Sequence, residues 1–337
     1  MLEYALIGCG RIAKNHITAA FAQKNLRIAA VCDIVPERMD AIVNQLPENM
    51  RRNVRKYANY QEMLTKESLN LCAVATESGK HAAIALNCID AGANVIIEKP
   101  IALALADADE IIRRGKEKDV KVCACHQNRF NLAIQHIKNA LEQGRFGKLS
   151  HGSVHVRWSR GEDYYKQAPW RGTREQDGGV LMNQSIHAID LLCWMMGYEI
   201  EDIAGFTSNR FHPYIECEDI GVAVIRFGNG ALGTIEGTAN VFPRNLEETM
   251  YIFGETGTVK AGGKSMNSID VWAFADERPE DEQIRGMIEN TTDVYGNGHF
   301  ALYNDFTDAV LCGRSPYLDG EDGRRALDVV LKIYGEA

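Results

Sequence analysis

The sequence predicts a two-domain α/β chain: a doubly wound parallel sheet, then an α+β domain built on a mainly antiparallel sheet. Three observations predict it. From Leu2 to Cys125, short apolar runs alternate with amphipathic stretches, as in a parallel sheet covered on both faces. After about residue 125 that rhythm gives way to runs joined through glycine turns, which suit antiparallel pairing. The length, 337 residues, also exceeds what one ordinary core serves. The expected domains are 1–125 and 126–337.

Strands are expected at 2–7, 27–32, 70–75, 94–98 and 120–125, with a weaker one at Val54–Tyr57. Between them, Ile17, Ala20 and Phe21 share a helical face, and helical patterns recur at 36–46, 79–91 and 104–118. The second domain opens with a helix at 131–143 and a strand at 150–158, then a helix at 179–196. Gly228-Asn229-Gly230 joins strands 219–227 and 231–239, a strong hairpin signal. A second hairpin is expected at 249–261, and a helical region at 299–334 closes the chain.

Composition limits the function. A hydrophobic fraction of 45% and a charged fraction of 25% are those of a globular protein. A net charge of −9 argues against a nucleic-acid surface, which needs a basic face. No apolar run approaches the roughly 20 residues that span a bilayer. The first strand starts at Leu2, so no signal peptide is expected and the protein is expected in the cytoplasm. None of the nine cysteines are spaced Cys-x-x-Cys, and most sit in apolar stretches. Reduced core thiols are expected, with neither disulfides nor a metal.

The first motif names a cofactor. Gly8-x-Gly10-x-x-Ala13 sits where a strand runs into a helix. The first glycine permits the tight turn, the second lets backbone approach a pyrophosphate, and the small third residue allows close helix–strand packing. Asp33 follows Ala13 by 20 residues at the end of the second strand. A carboxylate there bonds the ribose hydroxyls and repels a 2′-phosphate, so NAD is expected over NADP.

Two further features suggest an enzyme. Glu98-Lys99-Pro100 ends the fifth strand, on the carboxyl edge where ligands bind. Asn183 and His187, four apart on a helix, share one face. Taken singly, the lysine reads equally as a solvated charge and the histidine as a core residue. Together with Gly8–Ala13, Ala75-Thr76, His81 and Gln127-Asn128-Arg129-Phe130, they stand in the order and spacing of the Gfo/Idh/MocA oxidoreductases. The chain resembles that family over essentially its whole length.

The resemblance implies a Rossmann domain, an open-faced antiparallel sheet, and homodimers or homotetramers formed through the sheets. It implies cofactor contacts at Gly8, Gly10, Arg11, Ile12, Asp33, Thr76, His81, Glu98, Lys99, Gln127, Trp170 and Arg171. Lys99 and His187, with Asn183, are the implied catalytic group at the reacting carbinol. Many members carry Asp where this chain has Asn183. That exchange removes a carboxylate that would raise the histidine's basicity, and it leaves the general base open between Lys99 and His187.

The second half resembles one branch more specifically, the UDP-N-acetylglucosaminuronate 3-dehydrogenases. Val156-Arg157-Trp158-Ser159-Arg160, Tyr164-Tyr165, Ala168-Pro169-Trp170-Arg171-Gly172-Thr173, Asp177-Gly178-Gly179 and Pro243-Arg244-Asn245-Leu246-Glu247 carry that likeness. Substrate contacts are implied at Lys99, Arg160, Tyr164, Tyr165, Arg171, Asn183, Gln184 and His187. Between Arg157 and Arg174, five basic residues stand against two acidic ones, a balance suited to a pyrophosphate or carboxylate. The expected reaction oxidises the sugar C3 hydroxyl with NAD; in some relatives 2-oxoglutarate reoxidises bound NADH. The alternatives are a dehydrogenase of a free sugar or polyol such as an inositol, and a non-catalytic NAD-binding regulator.

Overall fold

The computed structural model describes residues 1–263, 265–290 and 296–336. The chain forms two compact units, one of Met1–His126 with His299–Arg324, the other of Gln127–Gly298 with the chain from Arg325 on.

The first unit is built on a six-stranded parallel sheet. Its strands are β1 (Leu2–Ile7), β2 (Leu26–Cys32), β3 (Arg55–Tyr57), β4 (Leu71–Val74), β5 (Asn94–Ile97) and β6 (Val122–Ala124). They lie in the order β3-β2-β1-β4-β5-β6, so the winding reverses between β1 and β4. Ligands of such sheets sit outside the carboxyl ends at that reversal. Leu6, Val31, Ala73 and Ile96 are fully buried, as expected of strands covered on both faces. A helix at Tyr60–Lys66, not foreseen from sequence, is capped by Asn59, whose side chain accepts from the Gln61 and Glu62 amides at 2.8 and 3.0 Å.

The helical region foreseen at 299–334 is two helices, Gly298–Cys312 and Gly320–Tyr334. Gly313 at φ +69° and Pro316 account for the break. Residues 299–324 return to the first unit. There the Tyr303 hydroxyl meets that of Tyr4 at 2.9 Å in the core, and a Cβ at Gly323 would overlap that of Ala124.

The second unit carries a seven-stranded sheet: β7 (Leu149–Arg157), β8 (Ile200–Ser208), β9 (Ile220–Phe227), β10 (Leu232–Thr238), β11 (Glu247–Gly254), β12 (Gly257–Gly262) and β13 (Ser268–Phe274). Their order is β13-β12-β11-β7-β10-β9-β8, antiparallel throughout except for β7 beside β10. Strands β8 and β13 were not anticipated. One face buries Val154, Val156, Ile225, Ile235, Met250 and Ile252 beneath the helix Ile186–Met196. Gly152 permits close approach, since a Cβ there would stand 3.0 Å from Leu192 Cδ1. The opposite face is open. Register places Phe206 opposite Val222, Thr234 opposite Val224 and Leu232 opposite His151.

Among the described residues, no helix is long and apolar enough to cross a membrane. Eight of the nine cysteines are buried and all nine are free.

Candidate active site

In the first unit, the β1–helix turn has the form the glycine spacing predicts. Gly8 holds φ +95°, and any Cβ there would collide with the Ala75 carbonyl. A Cβ at Gly10 would meet nothing within 4 Å, which leaves an open cradle at the start of the helix Ala13–Ala22. That helix presents its amides and the positive end of its dipole there. Arg11 is exposed and Ile12 half-buried on the same turn.

Asp33 follows β2. Its carboxylate accepts the Cys9 amide and the Val35 amide, each at 2.8 Å, which ties the glycine turn to the end of the second strand. Arg38 stands 4.0 Å away and is half exposed. The open cradle, helix terminus and anchored carboxylate fit a dinucleotide with an unphosphorylated ribose.

His81 stands between the loops that follow β4 and β5. It is buried, with Nδ1 2.8 Å from the Pro100 carbonyl and Nε2 3.1 Å from that of Thr76. Burial pushes its pKa down, although both carbonyls favour the charged ring. It therefore braces the loops after β4 and β5, which carry Thr76 and Lys99.

Behind Lys99 lies a buried polar cluster that sequence reasoning missed. Glu98 Oε1 bonds His16 Nε2 at 2.9 Å, and His299 Nε2 lies 3.7 Å from the same oxygen. His16 Nδ1 in turn meets the Tyr303 hydroxyl at 2.7 Å. The ligating atoms of His16, Glu98, Cys125 and His299 lie within 4.8 Å of one another. Burial alone would raise the Glu98 pKa; the bonds from His16 and His299 outweigh it and hold the carboxyl well below its usual range. Glu98 Oε2 also accepts the Lys99 amide at 3.2 Å, so the carboxylate that His16 holds fixes the backbone that presents the lysine. No local pattern announces this cluster, because His16, Glu98 and His299 come from three distant segments.

In the second unit, Asn183 lies on a π-helical turn, Val180–Ser185, that runs into the α-helix Ile186–Met196 carrying His187. Single π turns recur at functional sites. The turn is capped from outside the helix. Glu218 accepts the Leu181 amide at 3.0 Å and the Tyr334 hydroxyl at 2.7 Å, and a Cβ at Gly179 would overlap its carboxylate. Burial raises the Glu218 pKa, against those two hydrogen bonds.

The basic stretch divides. Arg157 faces the open side of the sheet and pairs with Glu236 and Glu247; Lys166 pairs with Glu162, and Arg174 is exposed. Only Arg160 and Arg171 converge, both on Tyr164. Their guanidinium carbons lie 5.0 and 4.3 Å from its ring centre, and Arg171 also covers Trp170 at 4.7 Å. Gln184 Nε2 donates to the Tyr164 hydroxyl at 2.9 Å, and Gln184 Oε1 accepts from Arg160 at 3.2 Å. Tyr165 instead packs with His212 and Tyr214, and burial raises its pKa. Gln127 is buried at the start of this unit.

Two contributors were missed as site residues. Asn245 Oδ1 accepts from Arg160 at 2.9 Å and lines a cavity of about 430 Å³ with Trp158, Ser159 and Arg244. Asp177, buried, accepts from the Asn183 side chain and from the Gly172 amide at 2.7 Å. In the sequence Asp177 stood only among the segments that carry the branch likeness, with no sign of that partner.

Residues 2–126 match the family model described as oxidoreductase family, NAD-binding Rossmann fold. Residues 134–260 match that of the GFO/IDH/MocA C-terminal domain. The chain is 37% identical, at a TM-score of 0.92, to the WlbA dehydrogenase from Bordetella pertussis, solved in complex with NADH and UDP-GlcNAcA; all of this chain and 95% of that one are covered. The WlbA structure from Chromobacterium violaceum, with the same two ligands, is 34% identical at a TM-score of 0.88, covering all of this chain and 93% of that one. Myo-inositol 2-dehydrogenase of Thermotoga maritima is 24% identical over 331 residues, covering 97% of this chain and 93% of that protein.

Proposed function

Because the chain belongs to the Gfo/Idh/MocA family of NAD-dependent oxidoreductases, we propose that it oxidises the C3 hydroxyl of UDP-N-acetylglucosaminuronate to the 3-keto sugar. The observation that carries this reading is the likeness, over the whole chain, to a dehydrogenase solved with NADH and UDP-GlcNAcA. The pairing of Arg160 and Arg171 about Tyr164 supports it, since two guanidinium groups with aromatic faces suit an anionic nucleotide-sugar. The product would serve cell-surface polysaccharide synthesis in the cytoplasm.

The Gly8–Gly10 turn and the first helix would hold the pyrophosphate of NAD and Asp33 its ribose, and the bound nicotinamide would supply the acceptor for the hydride, two electrons and a proton, that leaves the carbinol carbon. Lys99 and His187 are the acid/base groups: one removes the hydroxyl proton, and the positive charge it gains or the other carries stabilises the developing alkoxide. The Glu98 carboxylate keeps the Lys99 backbone fixed, and the Glu218 cap does the same for the turn ahead of His187. The open face of the second sheet fits self-association into a homodimer or homotetramer.

The test is NADH formation over a panel of UDP-sugars, with and without 2-oxoglutarate. UDP-N-acetylglucosaminuronate is expected to be turned over best. Lys99→Ala and His187→Ala should each lower kcat by about 10²–10⁴-fold while NAD affinity stays normal. Full activity in both variants would refute the assignment. A second reading, oxidation of a free polyol, is favoured by the likeness to myo-inositol 2-dehydrogenase. Turnover of myo-inositol, with Arg160→Ala leaving its KM unchanged, would establish that reading instead.

A further inference from the structure

Four side chains of the second unit form a continuous hydrogen-bonded line. Asn183 Nδ2 donates to Asp177 Oδ1; Gln184 Nε2 donates to Asn183 Oδ1 at 3.1 Å; Arg160 Nε donates to Gln184 Oε1 at 3.2 Å. Its two ends are chemically one-directional. A carboxylate only accepts and a guanidinium only donates, so both intervening amides have one allowed orientation. The second Gln184 N–H reaches the Tyr164 hydroxyl, which also accepts from Arg171. With two donors already aimed at its oxygen, the Tyr164 phenol is left to give its proton elsewhere.

We propose that Asp177 is a positioning residue of the reaction: it fixes the direction of the line Asp177–Asn183–Gln184–Arg160, and so holds Tyr164 as a hydrogen-bond donor toward an anionic oxygen of the substrate. This deepens the nucleotide-sugar reading and rests on it for the identity of that oxygen. Asp177 is well placed for the role. It is buried, and its second oxygen is held by the Gly172 amide at 2.7 Å, so it cannot swing away without breaking that bond. A carboxylate thus acts through Asn183 from six residues upstream, although position 183 itself carries an amide.

The direction of the line can be reversed by one isosteric change. In Asp177→Asn the new amide presents N–H to Asn183, which must flip. Gln184 must then flip in turn, and its N–H meets the Arg160 guanidinium, donor against donor. The double change Asp177→Asn with Asn183→Asp restores the original direction, because the carboxylate at 183 accepts from both neighbours.

Kinetics and structure test this together. Asp177→Asn should lower kcat/KM for the UDP-sugar roughly 10- to 100-fold, with NAD affinity and melting temperature unchanged. The double variant should exceed Asp177→Asn in kcat/KM, and in its crystal structure Gln184 should again accept from Arg160. Rescue of this kind is not expected if Asp177 only supports the fold. Asp177→Asn within twofold of the wild type, or a double variant no better than the single one, overturns the proposal. If the single variant does not fold, the double variant decides, and its failure to fold or to turn over also overturns it. If the wild type does not oxidise the UDP-sugar, the substrate reading fails by itself. The line is then judged from crystal structures: Gln184 should leave Arg160 in Asp177→Asn, and an unchanged network refutes it.

Discussion

Asp33 illustrates how one carboxylate serves two purposes. By accepting the Cys9 and Val35 amides it shapes the glycine turn, and in the proposed reaction the same charge would select the ribose. Asp33→Asn is therefore expected to weaken NAD binding by about tenfold, the scale of one charge-assisted hydrogen bond, while NADP binding holds or tightens. A fluorescence titration with both dinucleotides checks this; equal losses for both would remove the selective role. Asp33 was legible in the sequence because its signal is local, a fixed spacing from a glycine turn. His81 was legible as a member of a motif, yet its work is to brace two strand-end loops, which only its partners at Thr76 and Pro100 disclose. Of the five basic residues between Arg157 and Arg174, composition could not tell which three are paired with acids or turned to solvent.

At the scale of the element, the turn Val180–Ser185 departs from the helix that the spacing suggested. Asn183 stands on it and His187 on the helix that follows, and the departure is secured by Glu218, which reaches the turn from just ahead of β9. The raised pKa of Glu218 has a definite thermodynamic sign. In the folded protein the carboxyl holds its proton to higher pH than in the unfolded chain. Its contribution to stability is thus full below the ordinary carboxylate pKa of about 4.3 and is lost as pH rises through the folded value. Glu218→Gln, which copies the protonated acid, should melt with the wild type near pH 4 and above it at pH 7. Melting curves at the two pH values check this, and a gap that does not grow with pH would contradict it. Hydrophobic alternation and the Gly-Asn-Gly turn made β9 and β10 easy to read. Strands β8 and β13 escaped because they are edge strands whose pattern is diluted by exposed and polar residues.

Over the whole molecule, the open face of the second sheet gathers exposed apolar side chains from neighbouring strands. Phe206 is 88% exposed, Val224 55% and Leu232 50%, on neighbouring strands of one face. A single chain in water gains nothing by leaving such a patch uncovered, and a second copy offers a matching surface by symmetry. Light scattering should find a dimer or tetramer for the wild type, and Phe206→Glu with Val224→Lys should shift it toward monomer while the chain stays folded. A monomeric wild type would remove the proposal. The division into an NAD-binding half and an antiparallel half followed from rhythm alone. What rhythm could not give was the return of residues 299–324 to the first unit, a matter of long-range packing between Tyr303 and Tyr4.

That return constrains the order of events during synthesis. Domains generally fold as they leave the ribosome, amino-terminal first. Here the nucleotide-binding sheet emerges early, but Tyr303, the partner of His16, and His299, the neighbour of Glu98, arrive only after the entire second sheet has been made. Until then the Glu98 carboxylate, whose backbone leads into Lys99, lacks part of the shell that stabilises its charge. The cofactor half is thus started first yet stays unfinished until the second sheet has been made, so a nascent chain released before about residue 324 would carry the glycine turn without the completed core behind the lysine.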